Sequence, residues 1–115
     1  MTTGPTPGTG GLPANVAVET IYVVEADYTP EAAERRPAVR AEHLAHIADL
    51  RDAGVIIEAG GHADFSTALL LVRAASAEEA VAHFADDVYV RAGVWGDIRA
   101  KAYGRVVRPS ELEGR

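Results

Sequence analysis

The order of elements predicts an α+β fold, and three observations carry it. Runs rich in β-branched residues at 16–26, 55–59, 67–73 and within 94–107 read as four strands. Two stretches with apolar residues at helical spacing separate them, one after the first strand and one after the third. The order is then strand, helix, strand, strand, helix, strand, with one extra turn before the last strand. That is the split βαβ, ferredoxin-like βαββαβ arrangement, an antiparallel sheet with both helices on one face.

At 115 residues one domain is the default. It is expected over 16–108, between an N-terminal tail (1–15) and a polar C-terminal tail (109–115). The opening MTTGPTPGTGGLPAN is dominated by Gly, Pro and Thr, which bury too little to offset ordering. It also lacks the basic start and apolar centre of a secretory signal. Val16 to Ala26 (VAVETIYVVEA) forms the first strand. Ile21 and Val23 point to one face and Thr20, Tyr22 and Val24 to the other, so neither face is cleanly polar. Thr29-Pro30-Glu31 supplies an N-cap followed by proline at the first helical position. Pro37 then predicts an interruption, with a short turn over Glu31–Arg36 and the main helix restarting at Pro37. That helix runs to Ala53 and is stopped by Gly54.

Val55 to Ala59 is a short second strand, and Gly60-Gly61-His62-Ala63-Asp64-Phe65 is a connection with turn chemistry. The third strand, Thr67 to Arg73 (TALLLVR), is apolar without alternation from Ala68 to Val72, as a strand covered on both faces would be. Ser76-Ala-Glu-Glu79 is a capping box opening the second helix, whose apolar positions are Ala77, Ala80, Val81 and Phe84. Asp87 caps a single turn that Gly93 ends. In the fourth strand Ile98, Ala100, Ala102 and Val106 alternate against Asp97, Arg99, Lys101 and Arg105. Two helices cover only one side of such a sheet. A second copy of the chain is the simplest cover for the other, so a symmetric homodimer packed sheet to sheet is expected. A pocket between the first helix, the sheet and the partner would then hold a small organic molecule.

Composition sets the exclusions. The chain is 48% hydrophobic and 24% charged, ordinary for a soluble globular protein. Net charge is −6 and the arginines are scattered, with Lys101 the only lysine, so nucleic acid is not an expected partner. No apolar run is long enough to span a bilayer, and no membrane partner is expected. Without cysteine there is no disulfide framework, thiolate chemistry or Cys-ligated metal, and a cytoplasmic protein is the natural reading.

One residue breaks the patterning. At 100° per residue, Val39, His43, Ile47 and Leu50 fall within about 80° of one another on the main helix. His43 thus occupies the middle of the apolar stripe. An imidazole buried there without partners costs on the order of 1–3 kcal/mol. Either a neighbouring group satisfies it as a core histidine, or it is placed to move protons inside a pocket.

Several pieces in order resemble the YCII-related family, small proteins of the dimeric α+β barrel type. They are Arg40-x-x-His43, the Gly54 stop, the pair Gly60-Gly61, Ser76-x-Glu78-Glu79-Ala80, Asp87-x-Tyr89 and Ala92-Gly93-Val94. The resemblance covers about Ile21 to Val107. It implies an active site formed by a histidine on the first helix and an aspartate in an Asp-Pro-Tyr-type segment, here His43 and Asp87, with Arg40 and Tyr89 as neighbours. The chain departs from the pattern twice: Val88 stands in place of a proline, and Gly61 in place of the proline of a Gly-Pro pair.

The bland alternatives stand beside these roles. Asp87 is fully explained as an N-cap, although one oxygen can cap the turn while the other orients an imidazole. His46 lies one turn from His43, about 60° round the helix, and two such rings can share a metal, although that spacing is a weak signal and no metal is expected. His62 and Asp64 either line the pocket mouth, where they would bind substrate, or are turn residues. His83 has no assigned role, and Ser66 and Ser76 read as turn and cap residues rather than nucleophiles. Tyr28, Tyr89 and Trp95 line the pocket or pack the core. Arg40 either holds a substrate carboxylate or enolate or pairs with a surface acid. The leading expectation is a cofactor-independent enzyme of isomerase, lyase, dehydratase or cyclase type on a carbonyl or phenolic substrate. His43 and Asp87 would supply the acid–base chemistry. The alternatives are a non-catalytic metabolite-binding or accessory dimer and, by analogy of fold alone, a cofactor-free oxygenase.

Overall fold

A computed structural model of the chain describes residues 11–113. The N-terminal tail expected at 1–15 therefore lies mostly outside the described residues, as do the last two positions of the C-terminal tail. The elements are β1 (Ala17–Tyr28), α1 (Ala32–Asp52), β2 (Ile56–Gly61), β3 (Thr67–Val72), α2 (Ala77–Ala82), α3 (Val88–Arg91) and β4 (Trp95–Val107), then a 3-10 turn at Pro109–Leu112. The four strands form one sheet in the order β2-β3-β1-β4, every neighbouring pair antiparallel. This is the βαββαβ architecture that the element order predicts. No described helix is long and apolar enough to cross a membrane.

Register assigns the faces. Val24 sits opposite Leu70 on β3 and Ala100 on β4, while Val23 sits opposite Leu71 and Lys101. Successive side chains alternate across a strand, so these two rows face opposite sides of the sheet. The even row, with Ala26, Ala68, Val72 and Ile56, joins Phe84, Val88, Tyr89, Val94 and Trp95 in the core beneath the helices. On α1 the predicted stripe turns inward: Val39, Ile47 and Leu50 pack against that core.

Three local expectations are corrected. Pro37 does not break the helix, which runs unbroken from Ala32 to Asp52. The missing N–H would have bonded the carbonyl of Ala33, and both residues are exposed, so water can take that carbonyl. Thr29 does not cap α1, because the cap position is Glu31 and the Thr29 hydroxyl donates to the carbonyl of Gly93. The second strand extends through Gly60 and Gly61, which pair with Leu69 and Ala68. The connection to β3 is correspondingly shorter, closed by the His62 amide donating to the Thr67 carbonyl at 2.9 Å. Within the polar C-terminal tail, Pro109 opens a 3-10 turn, and Glu111 accepts from the Arg108 amide at 3.0 Å.

Candidate active site

The site is built where α1 crosses the start of α3. Asp87 is the N-cap of α3, and its Oδ2 accepts from the Tyr89 amide at 2.8 Å. Capping holds the carboxylate in one orientation, pointing at α1. His43, buried on the inner stripe of α1, brings Nδ1 to 2.7 Å from Asp87 Oδ2. The capping role and the imidazole contact therefore coexist on one carboxylate. Burial pushes the Asp87 carboxyl up, but hydrogen bonds from His43, His46 and the Tyr89 amide outweigh it. The acid is held below the usual carboxylate range. As a carboxylate it only accepts, so the His43 Nδ1 donates, and in the neutral ring Nε2 is the nitrogen left without a proton.

Aromatic rings fix the imidazole in plane. The His43 ring stacks on Tyr89 with centroids 3.6 Å apart and planes 6° from parallel, and Trp95 meets it edge-on at 4.9 Å. Trp95 is buried, and its Nε1–H has no hydrogen-bond partner among the described residues. Such a donor carries a desolvation cost of about 1–3 kcal/mol. Beside these rings lies a pocket of about 280 Å³, floored by Ala68 and Leu70 of β3 and walled by α1 through Arg36, Arg40, Leu44 and Ile47. Tyr28, Ala59 and Gly61 close its sheet-edge side. A Cβ on Gly61 would stand 2.7 Å from the Tyr28 hydroxyl, so glycine is what lets that ring occupy the pocket wall.

The expected residues separate into two groups. His43, Arg40 and Tyr89 line one pocket, with Asp87 directly behind the imidazole. Arg40 is exposed and makes no ion pair or hydrogen bond among the described residues, so its charge is available to a ligand. His62 and Asp64 are elsewhere. Because the glycine pair extends β2, His62 borders a separate depression with Leu69 and Leu71 on the opposite side of the sheet edge. Asp64 accepts from the Ser66 hydroxyl at 2.6 Å and the Ser66 amide at 2.9 Å, which lowers its carboxyl. This is a turn motif, and both residues read as turn chemistry rather than pocket lining.

Arg36 was not singled out from sequence, and His46 was weighed there only as a partner of His43 for a metal. Arg36 donates from Nε to the Tyr89 hydroxyl at 3.2 Å and lies over the Phe65 ring, 4.9 Å from its centroid. His46 brings Nδ1 to 2.6 Å from the second Asp87 oxygen. Spacing from His43 flags the pair of imidazoles, but only the position of α3 shows that the shared partner is a carboxylate. Among the described residues, no group of three or more His, Cys, Asp or Glu side chains is arranged to hold a metal ion.

Fold and pocket together define a small protein of the split βαβ class with a buried imidazole–carboxylate cluster beside a cavity. Comparison with known proteins makes the assignment particular. The YCII-related domain model matches residues 20–102, and the chain belongs to that family. It is 31% identical over 96 residues to Protein YciI of Escherichia coli O6:H1, covering 75% of this chain and 98% of that one. It is 30% identical over 95 residues to an uncharacterized protein of Haemophilus influenzae, covering 74% and 97%. Among solved structures it is similar to 5-chloro-2-hydroxyhydroquinone dehydrochlorinase from Burkholderia phenoliruptrix AC1100, in complex with 2,5-dihydroxybenzoquinone. The TM-score is 0.60 at 20% identity, over 72% of this chain and 92% of that one. That likeness is one of fold.

Proposed function

We propose that the chain is a cofactor-independent enzyme that moves a proton on a small phenolic or enolisable carbonyl compound. The observation that carries this reading is the division of labour on the His43 ring. Nδ1 is committed to a buried carboxylate, while Nε2 has no partner among the described residues and the ring lines the pocket. That is the arrangement of a general base whose conjugate acid is stabilised from behind. Nε2 takes a proton from the substrate, and negative charge develops on its oxygen. The Arg40 guanidinium and the Tyr89 hydroxyl, itself held by Arg36, stand at the pocket wall to stabilise that charge. The imidazolium then returns the proton, either to a different atom (isomerisation) or to a departing group (elimination). The dehydrochlorinase of similar fold was solved with 2,5-dihydroxybenzoquinone, which supports a phenolic or quinoid ligand and an elimination.

We further infer that two copies pair through the face of the sheet opposite the helices. Val23, Leu69 and Leu71 are only half-buried there and Tyr103 is 48% exposed, an apolar strip that a second copy would cover. A cytoplasmic setting is part of the same reading.

The test uses a panel of hydroxylated quinols and enolisable ketones in deuterated water, with 5-chloro-2-hydroxyhydroquinone included as a probe. Proton exchange or halide release that depends on the protein, and falls about 10²–10⁴-fold in His43→Ala, is the expected result. Turnover unchanged in His43→Ala refutes the acid–base role. Binding across the panel without any exchange or product would instead assign the chain as a metabolite-binding dimer.

A further inference from the structure

Asp87 serves three donors at once. Oδ2 takes His43 and the Tyr89 amide, and Oδ1 takes His46. The Asp87 side chain is completely buried, that of His43 is 8% exposed and that of His46 is 36% exposed. One imidazole therefore faces the pocket. The other reaches a separate surface depression bordered by Glu42, His83, Asp86 and Arg91. A single carboxylate compensates a single positive charge. When both rings hold an extra proton, the buried cluster carries one uncompensated charge where the carboxylate is shielded from water.

We propose that His46 is a positioning residue that governs the protonation of His43 through the carboxylate they share. A proton on the solvent-reachable ring draws on Asp87 and weakens the hold of the same carboxylate on a proton at the pocket ring. His46 also anchors Oδ1, so the Asp87 plane stays aimed at both rings. The inference deepens the acid–base reading and rests on it for its catalytic meaning, but the coupling belongs to the cluster and is measurable without a substrate.

The charged neighbours of His46 leave this link intact. Glu42, one turn earlier on α1, is engaged by Arg91 at 3.0 Å, and Arg91 also donates to the Asp86 carbonyl. His83 and the Asp86 carboxylate are the other titratable groups at the depression, and neither has a hydrogen bond to His46 among the described residues. Among the described residues, Asp87 is therefore the group hydrogen-bonded to both imidazoles.

The experiment follows the ring nitrogens of His43 by two-bond proton–nitrogen correlation across pH, in the parent chain and in His46→Asn. The asparagine amide keeps a donor where Nδ1 stood but carries no titrating charge. In the parent, the His43 curve is expected to show two steps, one of them tracking His46. In His46→Asn it collapses to one step, displaced to higher pH. His83→Gln, the control for the neighbouring imidazole, keeps both steps. Superimposable His43 curves in the parent and in His46→Asn overturn the proposal, and His46→Gln is read by the same criterion if asparagine weakens the helix. Coupled curves combined with unchanged turnover in His43→Ala would keep the coupling and discard the acid–base reading.

Discussion

The two faces of the sheet differ in character, although adjacent residues build them. On the helix side, Val24, Leu70 and Val72 are at most 2% exposed and carry the dry floor on which the His43 pocket rests. On the other side, the apolar strip of Val23, Leu69 and Leu71 is flanked by ion pairs. Glu19 meets Arg73 at 2.7 Å and Arg105 at 3.1 Å, and Asp27 is gripped by both Arg99 guanidinium nitrogens at 3.0 and 3.1 Å. A water-excluding face suits chemistry that needs strong electrostatics. A face that is half apolar and half charged suits recognition of another surface.

Leu70 and Leu71 sharpen this contrast most. Leu70→Ala empties a packed site and is expected to cost about 2–5 kcal/mol of stability, read by urea unfolding. Leu71→Ala should cost under about 1 kcal/mol while weakening self-association, measured by sedimentation; equal effects of the two would erase the distinction between the faces. Next in size is Asp87→Ala, which removes the α3 cap and strips the buried His43 of its partner, for about 3 kcal/mol at neutral pH. Because the folded Asp87 carboxyl lies below its unfolded value, its contribution is complete above about pH 4 and is lost as pH falls through the lower folded value. The gap between parent and Asp87→Ala should therefore narrow on acidification to pH 3. Gly93→Ala should cost about 1–2 kcal/mol, since φ is +75° there and a Cβ would collide with the Arg35 guanidinium. Arg40→Ala is the smallest in stability, within about 0.5 kcal/mol, because the residue is exposed and makes no ion pair among the described residues; its effect is expected in the affinity for an anionic ligand, measured by calorimetry.

Much of this was legible in the sequence, and for identifiable reasons. Caps and glycine stops are local, so the Asp87 cap, the Ser76 cap and the end of α1 at Gly54 could be placed from neighbouring residues alone. The inward position of His43 followed from helical periodicity. Contacts set by register or by docking were not legible. Pro37 looked like a break because its sequence does not reveal that the freed carbonyl faces solvent. Gly60 and Gly61 looked like a turn because pairing with β3 is a long-range fact, and that misreading carried His62 and Asp64 toward the pocket. His46 and Arg36 acquire meaning only from where α3 sets Asp87 and Tyr89, 41 and 53 residues further along the chain.

The acid–base account requires that Nε2 of His43 be the unprotonated nitrogen when the ring is neutral. Two-bond proton–nitrogen spectra of that ring, recorded above the pH of its titration, decide the matter. The account predicts a protonated Nδ1 bound to Asp87 and a bare Nε2 in the pocket. A neutral ring carrying its proton on Nε2 would leave no base facing the substrate and would contradict it.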